Sequence, residues 1–312
     1  MASVSRRIVR QGLAVLGTVL AGLTLVACGT TAAVAPNGII RAVGAENEYA
    51  NVLSQIGGRY VSVTSILQNP NTDPHAFEAS TKVAKAVSAA QIVVQNGLGY
   101  DTFMNNIEAA TPNTRRLIID VQKVLRVPST APNPHFWYEP FAMFDVASVM
   151  ARDLSRLEPE HTSYFSQRRK IFDASLTTLN KAIEALGAKY HGIKVAVTEP
   201  VADYLLREMD VDVVTPFVFQ ADIMNGVDPS PEDISLEDGF FSKHEVRLFV
   251  YNQQVVDSLT NSLRDNALAA KIPIVGVYET MPTPGFTYQT WMMAEINAIV
   301  RGLSTGKSTE AL

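Results

Sequence analysis

Two stretches of the chain alternate short apolar, β-branched runs with segments whose apolar residues recur every three to four positions. That alternation is the pattern of βα units built on parallel strands. In the first stretch "GIIRAVGA" predicts a strand and "ENEYANVLSQIGG" a helix halted by its glycine pair. "YVSVTSIL" predicts the next strand, "STKVAKAVSAA" a helix, "QIVVQN" a buried strand, "LGYDTFMNNIEAA" a helix and "RRLIIDV" a strand; "EPFAMFDVASVMARDLSRL" closes the stretch as a helix. The second stretch reads as strand "GIKVAV", helix "VADYLLREM", strand "DVDVVTPFVF", a polar, turn-rich connection "QADIMNGVDPSPEDISL", strand "VRLFVYNQ", helix "QVVDSLTNSLRDNAL", strand "IPIVGVYE" and helix "YQTWMMAEINAIVRGL".

Between them, residues 159–190 carry Phe165, Ile171 with Phe172, Leu176, Leu179, Ile183 and Leu186 at helical spacing, with no Pro or Gly between Pro159 and Gly187. They predict one rigid amphipathic helix of ~45 Å at the usual rise per residue. The fold class expected is therefore α/β. Two small lobes with parallel sheets occupy residues 38–158 and 191–304, joined by the helix at 159–190, with a frayed tail at 305–312.

The first residues change the picture of where the protein works. Arg6, Arg7 and Arg10 precede an apolar run from Leu13 to Ala27 and then Cys28, the single cysteine. A basic start, a short apolar core and small residues before a cut describe a secretory signal over residues 1–27. Leu25-Val26-Ala27-Cys28 resembles the bacterial lipobox, which implies cleavage before Cys28 and a diacylglycerol anchor on its sulfur. Residues 28–37 then read as a small-residue tether. Cleavage removes three of the 26 basic residues and none of the 31 acidic ones, leaving 23 against 31, a net charge of −8. Such a surface excludes nucleic acid as a partner and leaves membrane attachment to the lipid. One cysteine also excludes a disulfide within the chain.

Candidate chemistry falls just past the carboxyl ends of the expected strands, where open α/β sheets bind ligands. His75 lies in "NPNTDPHAFEAS" and His135 in "APNPHFWYEP", two of five histidines in one setting: Asp or Asn, Pro, His, then an aromatic. Glu199 follows "IKVAV" and Glu279 ends "IPIVGVY". Two imidazoles and two carboxylates form a donor set suited to a divalent transition metal. Pro74 and Pro134 stiffen their loops, so that an imidazole captured by metal loses little entropy. Asp73 and Asn133 are placed to brace those loops, and Phe77 and Trp137 to wall them from water. Each residue alone has a plainer reading. A Pro-His pair is commonly a turn, Glu199 suits a helix N-terminus, and Glu279 stands at a turn where polar residues are common. His161, His191 and His244 read as surface groups, and Met281, Met292 and Met293 as packing.

In sum of motifs the chain resembles the cluster A-I solute-binding lipoproteins of metal-importing ABC transporters. "DPHAFE" around His75, "NGLGYDTFM" from Asn96, "NPHFWYEP" around His135, "VTEP" at Glu199 and "VYET" at Glu279 follow that family's order from about Gly38 to Leu303. The resemblance implies two α/β lobes bridged by a rigid helix, a metal held between them by His75, His135, Glu199 and Glu279, and delivery to an ABC permease. A monomer is expected. Asn133 stands where Asp is usual and Glu279 where Asp is common. Two histidines with two acids is the family's manganese pattern, and acids that chelate with both oxygens suit manganese, whereas raw affinity favours zinc. Manganese is thus slightly favoured as cargo, zinc following closely. The other classes weighed are an exported metallohydrolase using the same residues and an adhesin stabilised by metal.

Overall fold

Each apolar run of the first stretch forms a strand and each segment of helical spacing a helix. The computed structural model describes residues 38–71 and 73–312; the leader, the lipidation site Cys28 and the tether lie outside them. β1 (Ile40–Glu46) leads into α1 (Asn47–Gly57), β2 (Val61–Leu67), α2 (Thr81–Ala89), β3 (Ile92–Gln95) and α3 (Thr102–Ala110). β4 (Leu117–Asp120), a single-turn α4 (Val121–Val124) and α5 (Ala142–Leu157) complete the first lobe. Its strands pair in parallel in the order β2-β1-β3-β4, with Ala42 opposite both Val63 and Ile92.

α6 (Thr162–Tyr190) follows, 29 residues or about 43 Å long. The second lobe comprises β5 (Lys194–Val197), α7 (Asp203–Glu208), β6 (Asp212–Val213), α8 (Phe217–Met224), α9 (Pro231–Ser242), β7 (Phe249–Asn252), α10 (Ser258–Ala269), β8 (Ile274–Val277) and α11 (Tyr288–Thr305). Its sheet repeats the first, parallel in the order β6-β5-β7-β8. In both sheets the strand order reverses beside the first strand, between β1 and β3 and between β5 and β7. Those two reversals are where such sheets leave a crevice at their carboxyl ends.

β3, β7 and β8 are buried throughout, as strands covered on both faces must be. One apolar cluster runs from Ile40, Val94 and Ile119 of the first sheet, past Phe165, Phe172, Leu176, Leu179 and Ile183 of α6, to Val195, Val250 and Val275 of the second. Smaller clusters line the other faces, Val43 with Met104 in one lobe and Phe219 with Phe249 in the other. The lobes therefore share a core, and spreading them would expose apolar side chains to water.

Four expectations are corrected. Ile171 is 56% exposed, and Phe172, one position and about 100° further round α6, takes the inward place. The strand expected over "DVDVVTPFVF" shrinks to β6, because Pro216 occupies the N-cap position of α8 and starts a helix. The polar connection beyond it holds the rest of α8 and the first half of α9, the latter begun by Pro231 in the first turn and by Ser230 Oγ accepting from the Asp233 N–H at 3.1 Å. The tail does not fray. Thr309 N–H donates to the Ile274 carbonyl at 2.8 Å, Gly276 N–H donates to the Thr309 carbonyl at 2.9 Å, and Glu310 pairs with Arg264 at 2.6 Å. Gln253 also bonds the Glu310 carbonyl. β8 would otherwise present an unpaired edge, and the tail covers it.

Two core acids make the fold sensitive to pH. Glu295 accepts from Trp291 Nε1 at 2.9 Å and Tyr138 OH at 3.2 Å, and Glu237 accepts from Thr215 Oγ1 at 3.0 Å. Burial, opposed by these bonds, pushes each up to about 8. From the ordinary carboxylate range up to about pH 8 these two acids keep, in the folded chain, protons that they release on unfolding, so their contribution to stability falls as pH rises through that window. Scanning calorimetry of chelator-stripped protein is expected to give a Tm at pH 6 higher than at pH 8.5 by about 3 °C or more. A flat profile would mean that these acids stay ionised.

Candidate metal centre

The two Pro-His loops are braced by the residue before each proline. The Asp73 carboxylate accepts the His75 N–H at 2.8 Å, with Pro74 opening a one-turn helix at 74–76. In the second loop Asn133 Oδ1 accepts the His135 N–H at 2.9 Å and its ring Nδ1–H at 2.8 Å. Asn133 Nδ2 donates to the Pro200 carbonyl at 2.7 Å, which fixes the amide's orientation and ties the loop to the second lobe. Nδ1 is thereby committed as the donor, and Nε2 is the nitrogen left to face the crevice. The "NGLG" turn supports the same loop. Asn96 Nδ2 donates to the Pro134 carbonyl at 2.9 Å, while Tyr49 OH donates to Asn96 Oδ1 at 2.7 Å. Gly97 has φ +78°, and a Cβ there would meet Asp120 Oδ1 at 2.7 Å, so only glycine fits this turn.

Glu279 is the hub. Its N–H and that of Thr280 both donate to Gln254 Oε1 at 2.7 Å, which fixes the chain just past β8. Its Oε2 faces Tyr100 OH at 3.0 Å, His75 Nε2 at 3.2 Å and His135 Nε2 at 3.3 Å. One ligand atom from each of His75, His135 and Glu279 lies within 4.8 Å of the others. His135 and Glu279 are fully buried, whereas the His75 side chain is 26% exposed and forms the rim.

Glu199 stands beside this trio rather than in it. It occupies the N-cap position before Pro200, yet its side chain makes no capping bond, which removes the plainer reading of a helix N-terminal acid. Instead Oε1 accepts from Asn252 Nδ2 at 3.2 Å, and Oε2 is buried with no protein partner. The same Asn252 Nδ2 donates to Glu279 Oε1 at 2.7 Å. Asn252 and Gln254 escaped the sequence reading, although "VRLFVYNQ" satisfied the strand-end rule that singled out the acids.

Burial and the Glu279 charge push the Glu199 carboxyl well above its ordinary range, against the bond from Asn252. Burial raises Glu279 too, but the His135 and His75 rings beside it outweigh burial and hold its carboxyl below the usual carboxylate range. Burial draws His135 below the usual imidazole value. For His75 burial pulls down, and the bond to and charge of Glu279 prevail, leaving it raised. Without cargo, Glu199 and His75 thus hold their protons more tightly than free side chains do, and Glu279 holds its own less tightly.

Aromatic rings close the inner wall. Tyr100 lies edge-on to His75 at 5.2 Å and to Trp137 at 5.0 Å, and Trp137 is edge-on to His135 at 5.3 Å. Phe77 instead pairs with Phe103 at 4.8 Å. The remaining histidines lie elsewhere, His161 stacked on Tyr60 at 3.7 Å and His191 beside Asp210 at 2.6 Å.

With this geometry in view, residues 43–302 match the family described as ZnuA, zinc-uptake complex component A, periplasmic. The manganese-binding lipoprotein MntA of Bacillus subtilis is 25% identical over 180 residues, 55% of this chain and 58% of its own. The zinc-binding protein AdcA of Streptococcus pyogenes is 21% identical over 272 residues, 75% of this chain and 50% of its own. The chain thus spans between half and three fifths of the length of these curated relatives. The periplasmic zinc-binding protein TroA of Treponema pallidum superposes with a TM-score of 0.74 at 19% identity, covering 85% of this chain and 99% of its own. At that identity the likeness is one of fold.

Proposed function

The chain belongs to the ZnuA family of periplasmic uptake components, and on that premise we propose that it captures a divalent transition metal, zinc or manganese, and delivers it to an ABC permease. His75, His135, Glu199 and Glu279 hold the cargo in this reading. The observation that carries it is the meeting of His75 Nε2, His135 Nε2 and Glu279 Oε2 within 4.8 Å at the carboxyl ends of two sheets. An anchor on Cys28 would keep the receptor at the outer face of the membrane beside its permease. The family is one of uptake components, so the metallohydrolase reading is set aside.

Calorimetric titration tests the assignment. His75→Ala and His135→Ala are each expected to weaken zinc or manganese binding at least ~10-fold, since even groups behind a ligand cost that much when removed. Two variants that bind like the parent would end it. Elemental content of the protein taken from its native host, with no metal added, reports the cargo itself.

A further inference from the structure

The geometry points to Asn252 as the residue that sets the cargo's coordination number, by holding one oxygen of each acid away from the metal. The inference rests on the reading that Glu199 and Glu279 are ligands. Asn252 sits at the carboxyl end of β7, next to β5 at the strand-order reversal, and is 1% exposed. Its Oδ1 accepts the Gln254 N–H at 3.0 Å, so the amide cannot flip. Its own N–H donates to Thr198 Oγ1 at 3.0 Å, fixing the backbone as well. The two hydrogens on Nδ2 then go one to Glu199 Oε1 and one to Glu279 Oε1.

Each acid keeps a single oxygen that Asn252 does not hold. Glu279 Oε2 faces both imidazoles, and Glu199 Oε2 is buried without a partner. Two nitrogens and two single oxygens make four donors, the number that satisfies tetrahedral zinc. Manganese prefers about six oxygen-rich positions, which carboxylates supply by chelating with both oxygens. Such chelation is part of the sequence's case for manganese, beside the family's pattern of two histidines and two acids. A clamp on both carboxylates removes that route, so the centre selects a four-coordinate metal.

Cobalt reports coordination number directly, because four-coordinate cobalt absorbs visible light strongly and six-coordinate cobalt weakly. Full-length protein, stripped with chelator, would be loaded with cobalt and separately titrated with zinc and manganese. Strong visible bands are expected. In Asn252→Ala they are expected to weaken, with the ratio of zinc to manganese affinity falling ~10-fold or more. Asn252→Asp, which keeps the shape and the bond from Gln254 but cannot donate, is expected to do the same. Cobalt bound with weak bands by the parent overturns the clamp while leaving the metal receptor intact, and needs no variant to fold. Folded variants with unchanged bands and ratio overturn it equally. A parent that binds none of the three metals overturns the receptor reading and the clamp together.

Discussion

Glu279→Gln is expected to weaken metal binding by ~100-fold or more, the largest loss of any conservative change in the protein. The substitution keeps the shape and removes the charge. It also breaks a satisfied set of bonds. Asn252 Nδ2 and Tyr100 OH approach opposite oxygens of this carboxylate, and both are donors. A glutamine offers an acceptor on one side only, so one buried donor is orphaned at about 1–3 kcal/mol. The metal-free Tm is therefore expected to fall as well, by about 2–4 °C per kcal/mol. Glu199→Gln separates the two effects, because Glu199 Oε2 has no protein partner to lose. It should weaken binding while leaving the metal-free Tm near that of the parent. Titration and scanning calorimetry on the same samples check both. Equal losses of Tm in the two variants would show that Glu279 is not the hub the distances describe.

The sequence exposed the parts of this protein whose signal is local. Proline before histidine, with an aromatic after it, marks a stiffened imidazole, and two copies past strand ends located His75 and His135. The family resemblance anticipated the two-lobe fold, which the match over residues 43–302 and the parallel sheets bear out. The long helix showed because a 29-residue stretch with no breaker before Gly187 has few other readings. What stayed hidden depends on contacts between distant residues. Asn252 carries no charge and belongs to no ligand class, and its meaning comes from two acids 53 and 27 residues away. The tail reads as polar and terminal; only the unpaired edge of β8 explains why it is ordered. The first turn of α8 carries the strand-like "PFVF", aromatic and β-branched, although Pro216 marks a helix start. Periodicity likewise tells which face of α6 is buried, and Ile171 shows that a doubled apolar position leaves the choice between neighbours to the packing.

Lowering the pH from 8 to 6 is expected to weaken metal capture at least ~10-fold, because cargo and protons compete for the same atoms. The sign follows from the metal-free centre. Glu199 is raised by burial beside the Glu279 charge, and His75 is raised because its bond to Glu279 outweighs burial, so both hold protons up to higher pH than free side chains do, and metal competes with those protons. Above those raised values nothing is displaced and affinity is flat. Below them each displaced proton costs a factor of about ten per pH unit. Glu279, held ionised, contributes nothing to the slope, and His135, lowered by burial, contributes only at more acid pH. Titration in buffers of different ionisation enthalpy should therefore report protons released on binding, and Glu199→Gln should reduce their number. A heat of binding independent of the buffer would sink this account. The direction opposes that of Glu237 and Glu295, whose retained protons stabilise the fold toward acid. Mild acid thus empties the centre while strengthening the scaffold around it, so metal release on acidification should occur with the Tm of the metal-free form intact.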